Sequence, residues 1–329
     1  MTWLVTGGAG FIGAHVVRAM QQAGREVVVV DDLSSGAAGR IPGTPLVGGS
    51  VLDRGLLDAV LAEHAVEGVV HIAGRKQVAE SVADPYLYFR ENVLGQLVLL
   101  EAMRDAGVGR LVFSSSASVY GMPDVDLVDE ATPVAPLSPY GQTKAAGEWM
   151  VADAATAYGL RYVNLRYFNV AGAAVPELGD PGCTNLVPMV FERLSQGRRP
   201  LLLGDDYDTP DGTCVRDFIH VADVAAAHLA AADHLEGPGE SCTLNVGRGE
   251  GSSVSEVLRT VAQVTGLDTD PEVRPRRPGD PARVVASARA IREVLGWAPQ
   301  HDLVDMISSA WAGWQRRHGG RVPVGAPRA

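Results

Sequence analysis

The first 32 residues of the chain predict a strand, a glycine-rich loop, a helix and a second strand that ends in two acids. The loop reads GGAGFIG over residues 7–13, and the second strand, residues 27–30, continues directly into Asp31 and Asp32. Glycines in such a loop let the backbone turn tightly and approach a pyrophosphate, which then rests on the N-terminus of the following helix. An acid at the end of the second strand can bind both hydroxyls of an adenosine ribose, which favours NAD over NADP. This unit predicts an α/β fold that binds NAD.

Strand and helix patterns alternate through the first half of the chain. After the first two strands, the strand-like segments are residues 46–47, 68–72, 111–114 and 162–166, and the longest helical stretches between them are 87–106 and 140–158. Such alternation predicts a doubly wound parallel sheet of the Rossmann type. In the usual strand order, the loops after strands one, four and five converge on a crevice at the carboxyl ends of the strands. We therefore expect the glycine loop, residues 73–76 and residues 114–116 to meet there.

The composition changes beyond about residue 171, where Pro, Gly and Asp become frequent and the helical patterns shorten. We expect residues 1–172 to form the NAD-binding domain and residues 173–329 to form a smaller, discontinuous α/β lobe that binds the substrate. Residues 216–247 are expected to return in part to the larger domain, with strands at 216–220 and 243–246 joining its sheet.

Charge and cysteine content exclude several classes of partner and site. The formal net charge is −11, and such a surface repels phosphate backbones, so no nucleic acid partner is expected. The three cysteines, Cys183, Cys214 and Cys242, are too far apart for a disulfide framework and favour a reducing compartment. We find no metal-binding spacing of histidines, no segment near the ~18 apolar residues of a membrane span, and no room for a signal peptide. We expect a cytoplasmic protein without a metal or a membrane anchor.

Tyr140 and Lys144 form the candidate catalytic pair. Only Lys76 and Lys144 are lysines among the 28 basic residues, and Lys144 follows Tyr140 by four positions, so the pair shares one face of a helix. Free tyrosine has a pKa near ~10, and a nearby ammonium together with a positively charged nicotinamide would lower that pKa. The serines after strand five add a hydroxyl at the same crevice. The constellation predicts proton transfer to and from a substrate hydroxyl.

Several motifs carry a resemblance to a known family. TGGAGFIG at residues 6–13, FSSSASVYG at 113–121, SPYGQTK at 138–144 and LRYFN at 165–169 resemble those of extended short-chain dehydrogenase/reductases. DGTCVRDFIH and RRPGD, which begin at Asp211 and Arg276, extend the similarity over nearly the whole chain and resemble the UDP-glucose 4-epimerase family within that superfamily. The resemblance implies NAD-dependent inversion at C4 of a UDP-hexose through a transient 4-keto intermediate. It also implies a tightly bound NAD that each turnover regenerates.

The resemblance implies a role for each matching residue. Tyr140 would abstract the proton of the sugar 4-hydroxyl, Lys144 would tune Tyr140, and Ser116 would hydrogen-bond the same oxygen. The implied cofactor contacts are Gly7, Gly10, Phe11, Ile12, Gly13, Asp31, Asp32, Ser50, Val51, Ile72, Ala73, Gly74, Lys76, Asn92, Ser114, Tyr140, Lys144 and Tyr167. The implied substrate contacts are Lys76, Ser116, Tyr140, Asn169, Asn185, Leu186, Leu201, Leu203, Arg216, Arg277, Asp280 and Val284.

Three positions depart from the family pattern, and a fourth bears on substrate specificity. Ser50 stands where an acid commonly contacts the adenine, Phe218 stands where tyrosine is frequent, and Arg75 occupies a site that is usually apolar and has no sequence-based explanation. Val284 falls where the family has a gate residue, which is bulky in epimerases limited to glucose and galactose. A small side chain there leaves room for a 2-acetamido group, so we expect UDP-GlcNAc to be accepted as well.

Other functions stay open at this point. The sequence does not determine which sugar reacts, so C4 epimerisation of a nucleotide-linked uronic acid or pentose is the main alternative. A nucleotide-sugar 4,6-dehydratase is disfavoured because it needs a carboxylate after strand five, where the chain has Ser116 and Ser118. A non-catalytic NAD-binding protein is also disfavoured, because such a protein does not need the Tyr140–Lys144 pair.

Oligomeric state is suggested by the two longest helical stretches. Residues 87–106 and 140–158 carry apolar stripes wider than packing on one sheet face requires. In similar epimerases this pair of helices forms a four-helix dimer interface. We therefore expect a homodimer that forms through such a bundle.

Overall fold

The computed structural model describes residues 1–277 and 279–319, so the last ten residues of the predicted smaller lobe lie outside the described part. Its strands are β1 (Thr2–Thr6), β2 (Glu26–Asp31), β3 (Leu46–Gly48), β4 (Val66–His71), β5 (Arg110–Ser116), β6 (Arg161–Tyr167), β7 (Asn169–Ala171), β8 (Leu201–Leu203), β9 (Val215–His220), β10 (Cys242–Val246), β11 (Gly251–Ser253), β12 (Glu272–Arg274) and β13 (Arg283–Val284). Its helices are α1 (Phe11–Gln22), α2 (Arg54–Glu63), α3 (Val78–Ala83), α4 (Pro85–Tyr88), α5 (Gly95–Ala106), α6 (Pro139–Tyr158), α7 (Leu186–Ser195), α8 (Val221–Glu236), α9 (Val254–Thr265), α10 (Arg289–Leu295) and α11 (Leu303–Arg317).

The main sheet contains seven parallel strands in the order β10-β6-β5-β4-β1-β2-β3. Successive residues of a strand face opposite sides, so Val5 and Val29 pack with α1 and α8 while Leu4 and Val28 pack with α2, α5 and α6. A sheet covered on both faces requires nearly continuous apolar strands, as residues 27–30 show. The predicted doubly wound parallel fold is confirmed. The strand order reverses between β1 and β4, which opens the predicted crevice at their carboxyl ends.

The helix that carries the Tyr140–Lys144 pair begins and ends where its sequence directs. Ser138 caps α6 by accepting a hydrogen bond of 3.1 Å from the N–H of Gly141, and Pro139 occupies the first helical position. The helix ends at Gly159, whose φ of 77° is the left-handed conformation that glycine adopts without steric cost. The predicted helix at 140–158 is confirmed.

The helix predicted at residues 87–106 is interrupted. Asp84 caps the short α4, a π-helical segment (Phe89–Leu94) follows, and α5 begins only at Gly95. The prediction of one regular helix is therefore wrong, since apolar periodicity does not reveal the extra residue of a π turn. The wide turn buries Asn92 against Arg75, behind the crevice.

A smaller lobe follows the main sheet. Its sheet has β9 at the centre, with β7 and β13 parallel to it and β11 antiparallel, while β8 and β12 form a separate parallel pair. Helices α7, α9 and α11 cover it around an aromatic core that includes Phe191, Trp311 and Trp314.

The two segments expected to return to the main sheet behave differently. Residues 243–246 do so within β10, as predicted, but residues 216–220 lie in β9 of the smaller sheet, so that expectation is wrong. An apolar segment identifies a buried strand without identifying its partner, because pairing joins segments that are distant in sequence. Within residues 1–277 and 279–319, no helix combines the length and apolar character needed to cross a bilayer.

Candidate active site

A cavity of about 340 Å³ opens at the carboxyl ends of the central strands. The predicted cofactor contacts that line it are Gly7, Gly10, Phe11, Ile12, Gly13, Asp31, Asp32, Ser50, Val51, Ile72, Ala73, Gly74, Lys76, Tyr140, Lys144 and Tyr167. Segments that are separate in the sequence therefore meet at one crevice, as the strand order requires.

The glycine loop at one wall of the cavity leaves no space for side chains. A Cβ on Gly13 would lie 2.0 Å from the carbonyl oxygen of Gly7, and a Cβ on Gly7, whose φ is +71°, would lie 2.7 Å from the backbone nitrogen of Ala73. Gly10 precedes α1 and offers no side chain to cap it, so the N–H groups of the first helical turn face the cavity without a side-chain acceptor. This geometry fits the pyrophosphate of a dinucleotide.

The two acids at the end of β2 are held by backbone amides. The Asp31 carboxylate accepts hydrogen bonds from the N–H of Ala9 (2.9 Å) and the N–H of Leu33 (2.8 Å), and Asp32 accepts from the N–H (2.9 Å) and hydroxyl (2.7 Å) of Ser34. Each carboxylate keeps lone pairs for ribose hydroxyls. Two adjacent carboxylates would repel a 2′-phosphate, which agrees with the preference predicted for NAD over NADP.

Three predicted cofactor contacts are placed differently from the rest. The Ser50 hydroxyl lines the cavity but accepts a hydrogen bond from the N–H of Leu52 at 3.1 Å. Asn92 and Ser114 lie behind the lining: the Asn92 side chain bonds the N–H (2.7 Å) and carbonyl (3.0 Å) of Arg75, and the Ser114 hydroxyl lies 2.9 Å from Nε2 of His228. Both residues support the cavity wall from the interior.

Lys144 is held at the end of β5. Its ammonium donates a hydrogen bond of 2.8 Å to the carbonyl oxygen of Ser114 and lies 5.1 Å from the centre of the Phe113 ring. Burial lowers the pKa of Lys144 to about 8, and the negative charge of Glu148 opposes this shift. The lysine therefore stays protonated at neutral pH with a small margin.

Tyr140 lines the cavity and is buried, and it is hydrogen-bonded to Ser116, which is not itself among the lining residues. The edge of its ring packs on Tyr88, with centroids 6.4 Å apart. Burial raises the pKa of Tyr140, and a hydrogen bond with Ser116 lowers it. The polypeptide alone favours the protonated phenol, so the effect expected of Lys144 on the Tyr140 pKa stays a prediction.

Three of the predicted substrate residues, Arg216, Arg277 and Asp280, form an ion-paired cluster in the smaller lobe. Asp280 accepts hydrogen bonds from Arg216 (2.8 Å) and from Arg277 (2.9 and 3.1 Å), so one carboxylate orients two guanidinium groups. Val284 is the strand partner of Arg216 in the pairing of β13 with β9. The other predicted contacts of this lobe stand at element termini or on β8: Asn169 begins β7, Asn185 and Leu186 begin α7, and Leu201 and Leu203 flank the buried Leu202.

Comparison with known proteins decides the family. A sequence model described as the NAD dependent epimerase/dehydratase family matches residues 3–247. The chain belongs to this family. Its cofactor is NAD, and the fold, cofactor and enzyme class predicted from the sequence are confirmed.

Named relatives of this epimerase-family chain agree closely in sequence. A UDP-glucose 4-epimerase of Azospirillum brasilense is 47% identical over 318 residues, which cover 95% of this chain and 91% of the relative. A UDP-glucose 4-epimerase of Streptomyces lividans is 45% identical over 322 residues, which cover 96% of both chains.

Solved structures agree equally well. The UDP-glucose 4-epimerase of Stenotrophomonas maltophila, with bound NAD and formylated UDP-arabinopyranose, superposes with a TM-score of 0.92 at 43% identity and covers 97% of this chain and 99% of its own. The UDP-Glc/GlcNAc 4-epimerase of Campylobacter jejuni superposes with a TM-score of 0.86 at 36% identity and covers 96% and 99%.

The structure of this family member adds lining residues that the motifs did not identify. They are Val30, Ser34, Ser35, Gly49, Gln77, Glu80 and Glu91. Ser34 and Ser35 follow the two acids after one intervening residue, Leu33, so their position was available from the sequence. Glu80 and Glu91 reach the cavity only because α3 and the π segment fold over it. Arg75, left unexplained above, lines the same cavity with Nη1 3.6 Å from Oε1 of Glu80.

Proposed function

We propose that the chain interconverts UDP-glucose and UDP-galactose by inverting the configuration at C4 through a transient 4-keto sugar. The observation that carries the proposal is that Tyr140 and Lys144 both line the NAD cavity and that Tyr140 is hydrogen-bonded to Ser116. A hydroxyl that must lose its proton as its carbon loses a hydride needs a base, a partner for its oxygen and a nearby cation, and these three side chains are of those types. The names of the full-length relatives agree with this reaction.

We assign a role to each of these groups. The glycine loop and the carboxylates of Asp31 and Asp32 would hold NAD, and the bound cofactor would supply reversible hydride transfer at the sugar C4 on either face of the ring. Tyr140 takes the proton of the 4-hydroxyl and gives it back in the second half of the reaction. Ser116 hydrogen-bonds the same oxygen, and Lys144 favours the phenolate and holds the ribose hydroxyls of the cofactor. Proton, hydride and cofactor are all restored at the end of a turnover.

We assign UDP binding to the smaller lobe. The guanidinium groups that Asp280 orients, those of Arg216 and Arg277, can each bind diphosphate oxygens through two N–H groups. Asn169, Asn185, Leu186, Leu201 and Leu203 then contact the uridine and the sugar. In this assignment residues 1–172 bind NAD, residues 173–329 together with Asn169 on β7 bind the UDP-sugar, and residues 216–247 contribute to both lobes.

We assign Val284 as the residue that limits the size of the sugar 2-substituent. Its side chain is partly exposed and it pairs with Arg216, which places it next to the proposed diphosphate contact. A valine leaves space that a large aromatic side chain would fill. UDP-GlcNAc is therefore a second substrate, and the Campylobacter jejuni relative carries both sugars in its name.

We also propose that the chain forms a homodimer through α5 and α6. Leu94, the last residue of the π-helical segment, and Leu97 on α5 are 46% and 43% exposed, and Trp149 on α6 is 61% exposed. Large apolar side chains this exposed on neighbouring segments favour contact with a second copy. Light scattering should give twice the monomer mass for the wild type, and Trp149→Glu should shift the protein to monomer. A wild type of monomeric mass at micromolar concentration would refute the dimer.

Cytoplasmic location is the remaining part of the proposal. Cys183, Cys214 and Cys242 are all free thiols, as expected in a reducing compartment. Fractionation of cells that express the tagged chain should recover it with cytoplasmic markers, and recovery from an exported fraction would contradict this assignment.

The test of the main function is product analysis with the purified holoenzyme. Incubation with UDP-galactose should yield UDP-glucose, and Tyr140→Phe should lose at least about 100-fold in turnover while keeping its NAD. UDP-xylose and UDP-glucuronate test the alternative substrates, of which the pentose is favoured by the ligand of the Stenotrophomonas relative. Turnover of either compound without turnover of UDP-galactose would overturn the proposal.

A further inference from the structure

A buried ion pair lies one helical turn beyond Lys144. Arg166 on β6 donates hydrogen bonds to both oxygens of Glu148 on α6, at 2.9 Å from Nε and 2.5 Å from Nη2. The side chains of both residues are 7% exposed, and no other ion pair within the described residues has both partners below one tenth. The Ser115 hydroxyl also donates to Glu148.

The Glu148–Arg166 pair lies where it can fix the position of α6 relative to the strands of the main sheet. Ser115 and Arg166 are direct partners in the pairing of β5 with β6, so the Glu148 carboxylate bonds two adjacent strands at one level. One turn earlier on the helix, Lys144 bonds the carbonyl of Ser114. Two successive turns of α6 are thus attached to two successive residues of β5. Because the same helix and strand carry Tyr140 and Ser116, this register also sets where those two side chains meet.

Arg166 is fixed from its other side as well. Its Nη1 donates to the Tyr120 hydroxyl at 2.9 Å, and its guanidinium lies 4.9 Å from the centre of the Tyr120 ring. The Tyr120 hydroxyl in turn donates to Oδ1 of Asn245 at 2.7 Å. Burial alone would lower the pKa of Arg166, but the hydrogen bonds and charge of Glu148 raise it. Hydrogen bonds therefore hold the Arg166 guanidinium between Glu148 and Tyr120.

Such a pair is not the simplest way to stabilise this part of the fold. Replacement of a buried ion pair by apolar side chains is often neutral or stabilising, since desolvation offsets the Coulomb attraction. The location next to the catalytic lysine gives the charges a use that apolar side chains do not have.

We propose that Glu148, held by Arg166, is a positioning residue for the catalytic pair: it sets the register of α6 on β5 and supplies the negative charge that faces the Lys144 ammonium. The inference rests on the proposed C4 epimerisation, in which Lys144 must be protonated.

The titratable groups packed around the catalytic pair come from several elements. Tyr140 and Glu148 lie on α6 with Lys144, His71 lies on β4, Tyr167 and Arg166 lie on β6, and Tyr88 lies on α4. Burial and the charge of Lys144 lower the pKa of His71 to about 3, so this imidazole is neutral. The tyrosines are neutral in the resting protein because burial raises their pKa values. Within this set Glu148 is the anion that opposes the effect of burial on Lys144.

The test is the pH dependence of kcat for UDP-galactose in the purified holoenzyme. In this mechanism kcat falls at high pH because Lys144 loses its proton, and this fall is the alkaline limb of the pH profile. Loss of the Glu148 charge lowers the Lys144 pKa, so Glu148→Gln should move the alkaline limb to lower pH by about one unit. It should also lower kcat by about tenfold or more, because the register of α6 loosens, with little change in KM.

Two further variants separate positioning from folding. Tyr120→Phe removes a hydroxyl from the same network without changing a charge, so it should leave the alkaline limb in place. The double variant with Glu148→Gln and Arg166→Met removes both charges and should fold even if Glu148→Gln alone does not. The alkaline limb of the double variant should still lie at lower pH than that of the wild type, because the charge of Glu148, and not that of Arg166, shifts the Lys144 pKa.

The outcomes are distinct. The inference would be overturned if Glu148→Gln or the double variant folds and keeps both the alkaline limb and the kcat of the wild type. It would also be overturned if Tyr120→Phe shifts the alkaline limb as far as Glu148→Gln does. Absence of UDP-galactose turnover in the wild type would instead refute the proposed function.

Discussion

The Lys144 ammonium lies 2.8 Å from the carbonyl oxygen of Ser114, the residue two positions before Ser116 on β5. The strand that carries the serine hydroxyl of the site thus also anchors the lysine. The helix and the strand therefore place the base, the hydroxyl and the cation together without any loop whose conformation would have to be fixed separately.

Lys144→Arg should be a damaging change although it keeps the charge. The lysine is 5% exposed and packed on Phe113, and a planar guanidinium is too large for that space and cannot donate to Ser114 in the same geometry. We expect kcat for UDP-galactose to fall by about 100-fold or more. Circular dichroism should be as in the wild type, and turnover is compared per mole of bound NAD so that a loss of cofactor is not counted as a loss of catalysis. Near-normal turnover in this variant would remove Lys144 from the catalytic set.

Gly13→Ala should abolish the binding of NAD. A Cβ at this position would lie 2.0 Å from the carbonyl oxygen of Gly7 and 2.7 Å from Cα of Gly8, so the loop must move away from its pyrophosphate-binding conformation. Gly39→Ala is the matched control, because a Cβ there meets nothing within 4 Å. The ratio of NAD to protein, measured after denaturation, should be close to one for the control and near zero for Gly13→Ala. Equal ratios would contradict the proposed role of the loop.

Val284→Tyr should change the choice of substrate. A bulky aromatic side chain at this half-buried position fills the space that we assign to a 2-acetamido group. We expect kcat/KM for UDP-GlcNAc to fall by about 100-fold, while that for UDP-galactose changes by less than about fivefold. Val284→Ala should retain both activities. A wild type that does not turn over UDP-GlcNAc at saturating concentration would refute the assignment before any variant is made.

His228→Gln should weaken the acid sensitivity of the fold. Burial lowers the pKa of His228 to about 4, below its value of 6.5 in the unfolded chain. The unfolded state therefore binds a proton first as the pH falls, so this contribution to stability is complete above pH 6.5 and is lost between pH 6.5 and about 4. The loss is about 3 kcal/mol for one such histidine, given ~1.4 kcal/mol per pKa unit.

Urea unfolding at pH 7 and at pH 4.5 measures this effect. The free energy of unfolding should fall less between the two pH values in His228→Gln than in the wild type. His318→Gln, at an exposed position, is the control and should behave as the wild type. An identical fall in all three proteins would contradict the buried neutral state of His228.

Features that depend on short stretches of sequence could be predicted together with the chemistry expected of them. The glycine loop with its acids, the alternating strands, and Tyr140 four residues before Lys144 depend on neighbours in the chain, since a helix or a turn relates residues that are close in sequence. Their positions at the cavity agree with the sequence reading, apart from residues such as Asn92, which supports the wall from behind.

What only the tertiary structure decided depends on segments that are far apart. The Arg216–Asp280 pair joins residues 64 positions apart, and the Glu148–Arg166 pair requires the β5–β6 register. The place of β9 in the smaller sheet and the π turn that buries Asn92 were also invisible to periodicity. By itself the sequence determined the fold class and the cofactor and predicted the Tyr140–Lys144 pair, because local geometry suffices for each. Strand pairing and burial decided which charges face one another, because they depend on how the whole chain packs.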